Sequence, residues 1–347
     1  MAIMQATRRQ VMAALGGLAG LGLFGRCARA AADDTLVITT LGGVWEQFWR
    51  QSVAPAYLKH RNAEIIFDVG NGRVFTANLR TAGDKPPYSF VMTNEVFGSA
   101  LRKEGYFEKL DLSLIPNYRD LYPVCKIAGD WAATCTISPI GIGYRTDLVK
   151  TPPKRWRDLW ENPEFRGKIG LYNFANSAGK MTLLLASRIF GGDQRNVDAG
   201  FAALGKLDRV IQVDFNLSTM MASGEIIVAP FDVGEIVRLR KQGLPVACAV
   251  PEEGMLAFDQ TFNVCRNGPA KALAYDYINF MLSPEIQTLL AGQFYTSPVN
   301  AKVEMTAQLK EDVPINGDGM SQILSWDWDF VNEHATEFSE RWAKTLR

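Results

Sequence analysis

The stretch Ile140–Gly170, IGIGYRTDLVKTPPKRWRDLWENPEFRGKIG, decides how the rest of the chain is read. Ile140 to Tyr144 reads as a buried strand that runs into a turn. Pro152 and Pro153 open a short amphipathic helix carrying Trp156, Leu159 and Trp160. Asn162-Pro163 ends it, because the residue before a proline is pushed out of the helical region. Arg166-Gly167-Lys168 then leads into a second strand, Ile169 to Tyr172. Strand, helix and strand in this order form the repeating unit of an α/β fold.

The same unit recurs on both sides. Thr35 to Thr40 (TLVITT) is a strand that ends at Leu41-Gly42-Gly43-Val44, with a helical pattern beyond it through Trp45, Phe48, Trp49 and Val53. Glu64 to Val69 is a second strand, ending at Gly70-Asn71-Gly72. This GxG lacks the third glycine of a dinucleotide fingerprint and follows the second strand, so it does not mark a nucleotide cofactor. Tyr88 to Thr93 ends at Asn94-Glu95, and Leu101 to Leu110 then closes a helix with Gly105. Further on, Asn176-Ser177 caps a helix from Met181 to Phe190, and Ile226 to Pro230 is a strand with Phe231-Asp232 at its carboxyl end. The tail holds Trp326, Trp328 and Trp342 at near-helical spacing, read as core packing.

A chain of 347 residues is too long for one small core, so two lobes are expected. The first thirty residues hold Arg8, Arg9, Arg26 and Arg29 and no acid; without them, 33 basic side chains face 37 acidic ones. That balance argues against nucleic acid, which selects a basic face. Thr7-Arg8-Arg9-Gln10-Val11-Met12 resembles a twin-arginine export motif, and an apolar run to Phe24 and a small-x-small site at Ala28-Arg29-Ala30 follow it. Residues 1–30 are therefore read as a signal peptide, with the mature chain starting near Ala31 in a bacterial periplasm. Cys125, Cys135, Cys248 and Cys265 remain after cleavage, and in an oxidising compartment each local couple is expected to pair.

The run from Ile140 to Gly170 resembles a signature of periplasmic solute-binding proteins, the ligand-capturing subunits of ABC importers. Pro251-Glu252-Glu253-Gly254 with Phe258 to Val264, and Phe294 to Asn300, resemble later segments of the same family, closest to its spermidine/putrescine-type (extracellular solute-binding) members. The resemblance implies a type II-like two-lobe α/β fold with a ligand cleft between lobes joined by crossing segments. Residues 31–138 and 251–347 would form lobe 1, and 139–250 lobe 2. The first crossing is expected near Ile137 to Ile140.

Such a cleft takes its polar groups from strand ends on both lobes. The candidates are Gly43, Glu46, Asn71, Arg73, Asn94 and Glu95, then Asn176, Ser177, Phe231, Asp232, Asp259 and Tyr295. By the resemblance, Asp259 falls at the amine-binding aspartate and Phe231 at an aromatic platform. Asn176 and Ser177 are uncharged where polyamine binders carry a second acidic pair, which favours one ammonium or a shorter ligand. Arg73, if it faces the cleft, would pair a ligand carboxylate, so a 4-aminobutyrate-like solute fits as well as putrescine. Periplasmic capture of a small amine and delivery to permease subunits, by a monomer without cofactor or metal, is the function implied. An organic anion or a metal chelate on the same fold is the alternative. An enzyme has less support: the chain has two histidines, His60 and His334, and no HExxH, GxSxG or phosphate-loop motif, so no catalytic residue is assigned.

Overall fold

A computed structural model describes residues 34–346; the leader read over residues 1–30 lies outside them. The first lobe opens with β1 (Thr35–Thr40) and α1 (Val44–Phe48), which continues through a π-helical turn, Trp49–Val53, into α2 (Ala54–Leu58). β2 (Glu64–Val69), α3 (Gly72–Ala82), β3 (Phe90–Thr93) and α4 (Glu95–Lys103) follow. β1 and β2 pair in parallel from Thr35↔Glu64 to Thr40↔Val69. The Thr39 hydroxyl accepts from the Met92 N–H at 2.9 Å, which ties β1 to β3 across the core.

β4 (Ala133–Arg145) is the axis of the molecule. After it come α5 (Asp158–Glu161), β5 (Gly170–Tyr172), α6 (Ser177–Gly191), α7 (Val197–Leu204) and β6 (Ile211–Val213). α8 (Leu217–Ser223), β7 (Val228–Asp232), α9 (Val233–Lys241), β8 (Val246–Ala249) and β9 (Leu256–Val264) complete the central part. From Ala133 to Ile140, β4 pairs with β9; from Ile140 to Tyr144 it pairs with β7, and from Ile142 to Arg145 with β8. The partners thus change at Ile140, so one continuous strand carries the chain from one half of a single five-stranded sheet, β3-β9-β4-β7 with β8, to the other.

The alternation in IGIG has a packing cause. Ile140 and Ile142 are fully buried. On the other face, a Cβ at Gly141 would meet the Ala249 carbonyl oxygen at 2.5 Å, and one at Gly143 would meet the Phe231 Cβ at 2.5 Å. No real side chain fits at those distances, so glycine is what lets β7 and β8 close on β4.

α10 (Lys271–Met281), α11 (Pro284–Phe294) and α12 (Ala307–Asp312) return to the first lobe, and α13 (Trp328–Glu333) and α14 (Ala335–Thr345) end the chain. One core gathers Leu36, Trp49, Phe90, Phe262 and Tyr277. A second gathers Ile142, Trp156, Leu171, Leu184 and Val228, and it also takes Trp328, Phe338 and Trp342 from the C-terminal helices; a smaller third holds Phe75, Leu79 and Tyr88. The tail therefore reaches over both lobes. Lys103 of α4 pairs with Glu333, while Arg341 of α14 pairs with Asp198 of α7. Trp328 and Trp342 are core residues as expected, and half-buried Trp326 lies against the Arg188 guanidinium, 5.0 Å from its ring centre.

The expected disulfides are not formed: Cys125, Cys135, Cys248 and Cys265 are free. Cys248 opposes Gly143 on β4, whereas Cys265 follows Val264, beyond the Ala133↔Phe262 pair at the other end of that strand. About ten residues of extended strand separate those levels, roughly 30 Å, far beyond the reach of a disulfide. Cys125 and Cys135 are buried in one core as separate thiols, and burial raises both far above the usual thiol range.

Candidate functional site

Between the lobes lies a cavity of about 710 Å³, within the usual size range of small-molecule sites. Its floor is the middle of the sheet, with Thr136 and Ser138 of β4 and Asp259 and Gln260 of β9 facing it. Four loops that lead into helices reach it from the sides. Asn71 lies two residues past β2 and caps α3, its Oδ1 accepting from the Arg73 and Val74 N–H groups. Asn176 caps α6 by accepting from the Ala178 N–H at 2.8 Å. Asp232 caps α9 by accepting from the Glu235 N–H at 3.0 Å. Asn94 precedes α4, but its amide instead donates to the Asp259 carbonyl oxygen at 2.6 Å. Four helix N-termini thus open on one space.

Seven of the residues proposed from sequence line this cavity: Asn71, Arg73, Asn94, Asn176, Ser177, Asp232 and Asp259. The other five do not. Gly43 is exposed with φ 68° at the start of α1, and its neighbours Leu41 and Trp45 line the space. Glu46 turns along α1 to pair with Arg50 at 2.8 Å. Glu95 is buried behind the wall in a two-point ion pair with Arg102, which also donates to Asn263 Oδ1 at 2.8 Å. Phe231 is fully buried in the second core, packed over Gly143 rather than toward the cleft. Tyr295 ends α11 with φ 56°, and its hydroxyl accepts from Lys241 Nζ at 2.9 Å.

The structure adds groups that no local pattern marks. The aromatic walls are Trp45, stacked on Phe294 with ring centres 3.9 Å apart, and Tyr172, edge-on to Phe258 at 5.7 Å. Phe174 and Phe215 stand at the second lobe's rim, where Phe215 is 74% exposed. Lys180 of α6, Glu235 and Arg238 of α9, and Asp214 at the end of β6 also line the space. Asn332, Ala335 and Ser339 bring the C-terminal helices to its edge.

Two acids on the floor carry its electrostatics. Burial, followed by the neighbouring Glu95 charge, pushes the Asp259 carboxyl up to about 7, although the Glu95 N–H donates to its Oδ1 at 3.2 Å. Burial likewise pushes Asp232 up to about 6, against the capping Glu235 N–H. An acid destabilised as the anion invites a cation, because an ammonium replaces the lost water and the counter-charge at once. On the second lobe, burial and then the Arg73 guanidinium push the Lys180 ammonium down to about 8, while Asp214 pulls it up. Glu235 is already matched by Arg238.

The raised acids make a stability prediction. The folded, empty protein holds protons on Asp232 and Asp259 that the unfolded chain releases between pH about 4 and 7, so their contribution to stability falls as pH rises through that window. Asp259→Asn removes one of the two. In urea unfolding without ligand, the variant is expected to gain on the wild type between pH 4.5 and 7.5. A difference that stays constant across that range would show that Asp259 titrates normally.

Among the described residues no helix is long and apolar enough to cross a membrane, and no group of three His, Cys, Asp or Glu side chains is placed to hold a metal. A strand that changes partners between two lobes within one sheet, with polar groups of both lobes turned into one cleft, defines a two-lobe solute-binding protein. The sequence profile of the bacterial extracellular solute-binding proteins matches residues 86–333, and the chain belongs to that family. The spermidine/putrescine-binding periplasmic protein 1 of Haemophilus influenzae is 25% identical over 340 residues, covering 92% of this chain and 91% of that protein. The gamma-aminobutyric acid-binding protein of Pseudomonas aeruginosa is 24% identical over 343 residues, covering 92% and 94%. The crystal structure of an ABC transporter from Clostridium perfringens superposes with a TM-score of 0.79 at 25% identity, over 90% of this chain and 100% of that one.

Proposed function

We propose that this chain is the periplasmic solute-binding subunit of an ABC importer, and that it captures a small amine-bearing solute by lobe closure. The observation that carries the amine is the pair of buried acids, Asp232 and Asp259, on a cavity floor walled by Trp45, Tyr172 and Phe258. Carboxylates take the ammonium, and the rings cover the methylenes beside it. Relatives named for spermidine and putrescine and for gamma-aminobutyric acid support the same class. Binding rather than catalysis is the role that membership of the extracellular solute-binding family supports for such a site. Asn71, Arg73, Asn94, Asn176 and Ser177 complete the proposed ligand shell.

The lobes are taken as 31–138 with 251–347, and 139–250, with the C-terminal helices leaning onto the second. Closure brings both walls onto the solute, which is the differential affinity that a ligand-driven shift requires. Delivery to permease subunits by a monomer follows from that role. The Thr7–Met12 run is the basis for export by the twin-arginine route.

The test is calorimetric. An amine that binds the raised acids displaces their protons, so titration at pH 6 is expected to release protons, seen as a binding enthalpy that changes with the buffer's ionisation enthalpy. A panel of diamines, polyamines, amino acids, sugar phosphates and ferric citrate, applied to protein stripped of solute, identifies the class through its thermal shift. A shift with anions alone would overturn the amine reading.

A further inference from the structure

We infer that the solute is a zwitterion whose anionic end is held between Arg73 of the first lobe and Lys180 of the second. This rests on the amine reading and extends it to the ligand's other end. Arg73 Nη2 crosses the cleft to donate to the Ala175 carbonyl oxygen at 2.8 Å. Lys180 Nζ donates to the Phe174 carbonyl oxygen at 2.5 Å and lies 3.4 Å from the same Ala175 oxygen. Two cations from opposite lobes therefore converge on one neutral acceptor at the cavity wall.

Among the described residues neither cation forms an ion pair, although most arginines and several lysines of the chain do. Asp214 is the acid whose charge is felt at Lys180; its Oδ1 is buried without a hydrogen-bond partner, while Asn176 holds its main-chain oxygen at 2.8 Å. One acid against two cations leaves this end of the cleft positive. At the other end Arg238 is already matched by Glu235, so no free cation among the described residues there competes with an ammonium for Asp232 and Asp259 on the floor.

The topology separates the two ends. Arg73 follows β2 and Lys180 follows the β5 loop, and these strands belong to two-stranded sheets (β1-β2 and β5-β6) apart from the central five-stranded sheet. Asp259 and Asp232 sit on β9 and β7, the two strands next to β4, opposite Ile137 and Ile140. A diamine long enough to span this row would bring a second ammonium against Arg73 and Lys180. A carboxylate or phosphonate there would instead be shared by both lobes, an interaction that only the closed form makes in full.

The experiment is isothermal titration of the solute-stripped protein with ω-amino acids from 3-aminopropanoate to 6-aminohexanoate, diamines of matching length, and n-alkylamines. At the best chain length the amino acid is expected to bind about tenfold or more tightly than either competitor, as one added charge-assisted contact implies. Lys180→Gln should remove most of that preference while leaving alkylamine affinity within about twofold. Arg73→Gln, at an exposed position, should likewise lower the ratio of amino-acid to alkylamine affinity, and serves if the Lys180 variant does not fold. Diamines binding as tightly as the amino acids at every length would overturn the inference and leave the amine reading standing. So would a Lys180→Gln protein that loses alkylamine and amino-acid binding equally. A folded protein that binds no amine of any kind would overturn both.

Discussion

Asp259→Asn is expected to weaken amine binding at least tenfold, with the fold retained. The carboxylate sits on β9 opposite Ile137, on the floor of the cavity, where little water is left to solvate a charge. The Glu95 N–H donates to it, and an asparagine oxygen can accept that bond as well, so the start of α4 keeps its contact. What the variant loses is the charge. A hydrogen bond to a charged group contributes about 1.5–3 kcal/mol net, or roughly 10- to 150-fold in affinity. The effect should appear in calorimetry as a weaker constant and as the loss of part of the proton release at pH 6. Unchanged affinity would remove Asp259 from the site, whatever its burial.

The same residue shows how function and stability oppose each other here. Without ligand, the Asp259 anion is costly, since Glu95 stands close and burial is deep. Glu95 cannot relieve it, because Arg102 and Asn263 hold that side chain and its guanidinium partner behind the wall. The site is thus held ready at the expense of the empty protein, and the incoming cation recovers the difference.

How much of this was legible in the sequence depends on the range of the interaction concerned. Helix starts follow local chemistry, and three cleft residues, Asn71, Asn176 and Asp232, are also N-caps, so the signal for structure located the site. Arg73, just past the end of β2, faces the cavity, and so does Asp259, which the family resemblance marks and which lies inside β9. The misplacements come from side-chain direction. Phe231 and Asp232 are adjacent at one strand end, and strand alternation sends one into the core and the other to the cleft. Glu95 stands next to Asn94 and turns away for the same kind of reason, drawn by Arg102 seven residues on.

Lys180 lay beyond any local signal. It follows Gly179 in an apolar helix, where a lone lysine reads as a solvated face, and its meaning comes from Arg73, more than a hundred residues earlier. The cysteines mislead in the opposite sense. An even count in an exported chain suggests pairing, but Cys248 and Cys265 belong to opposite ends of one long strand's set of partners.

Trp156→Ala is expected to be the most destabilising of these substitutions, at about 3–5 kcal/mol, the usual cost of emptying a buried aromatic site. Trp156 is fully buried in the second core, where it is tied to the segment between β8 and β9. Its indole N–H donates to the Gly254 carbonyl oxygen at 2.8 Å, and its main-chain N–H donates to a Glu253 carboxylate oxygen at 3.0 Å. The next residue, Met255, exchanges main-chain hydrogen bonds with Gln322 and Leu324, where the chain leaves for the C-terminal helices. Deleting the ring empties the second core, leaves a buried carbonyl without its donor, and loosens the segment between β8 and β9. Trp156→Phe separates these effects, since it keeps most of the ring and loses only the donor, at a cost of about 1–3 kcal/mol. Urea unfolding of the two variants measures both. A Trp156→Ala protein within about 1 kcal/mol of the wild type would mean that the indole fills space without holding the crossing. If the phenylalanine variant alone costs as much as alanine, then the hydrogen bond to Gly254, rather than the packing, fixes how the two lobes are joined.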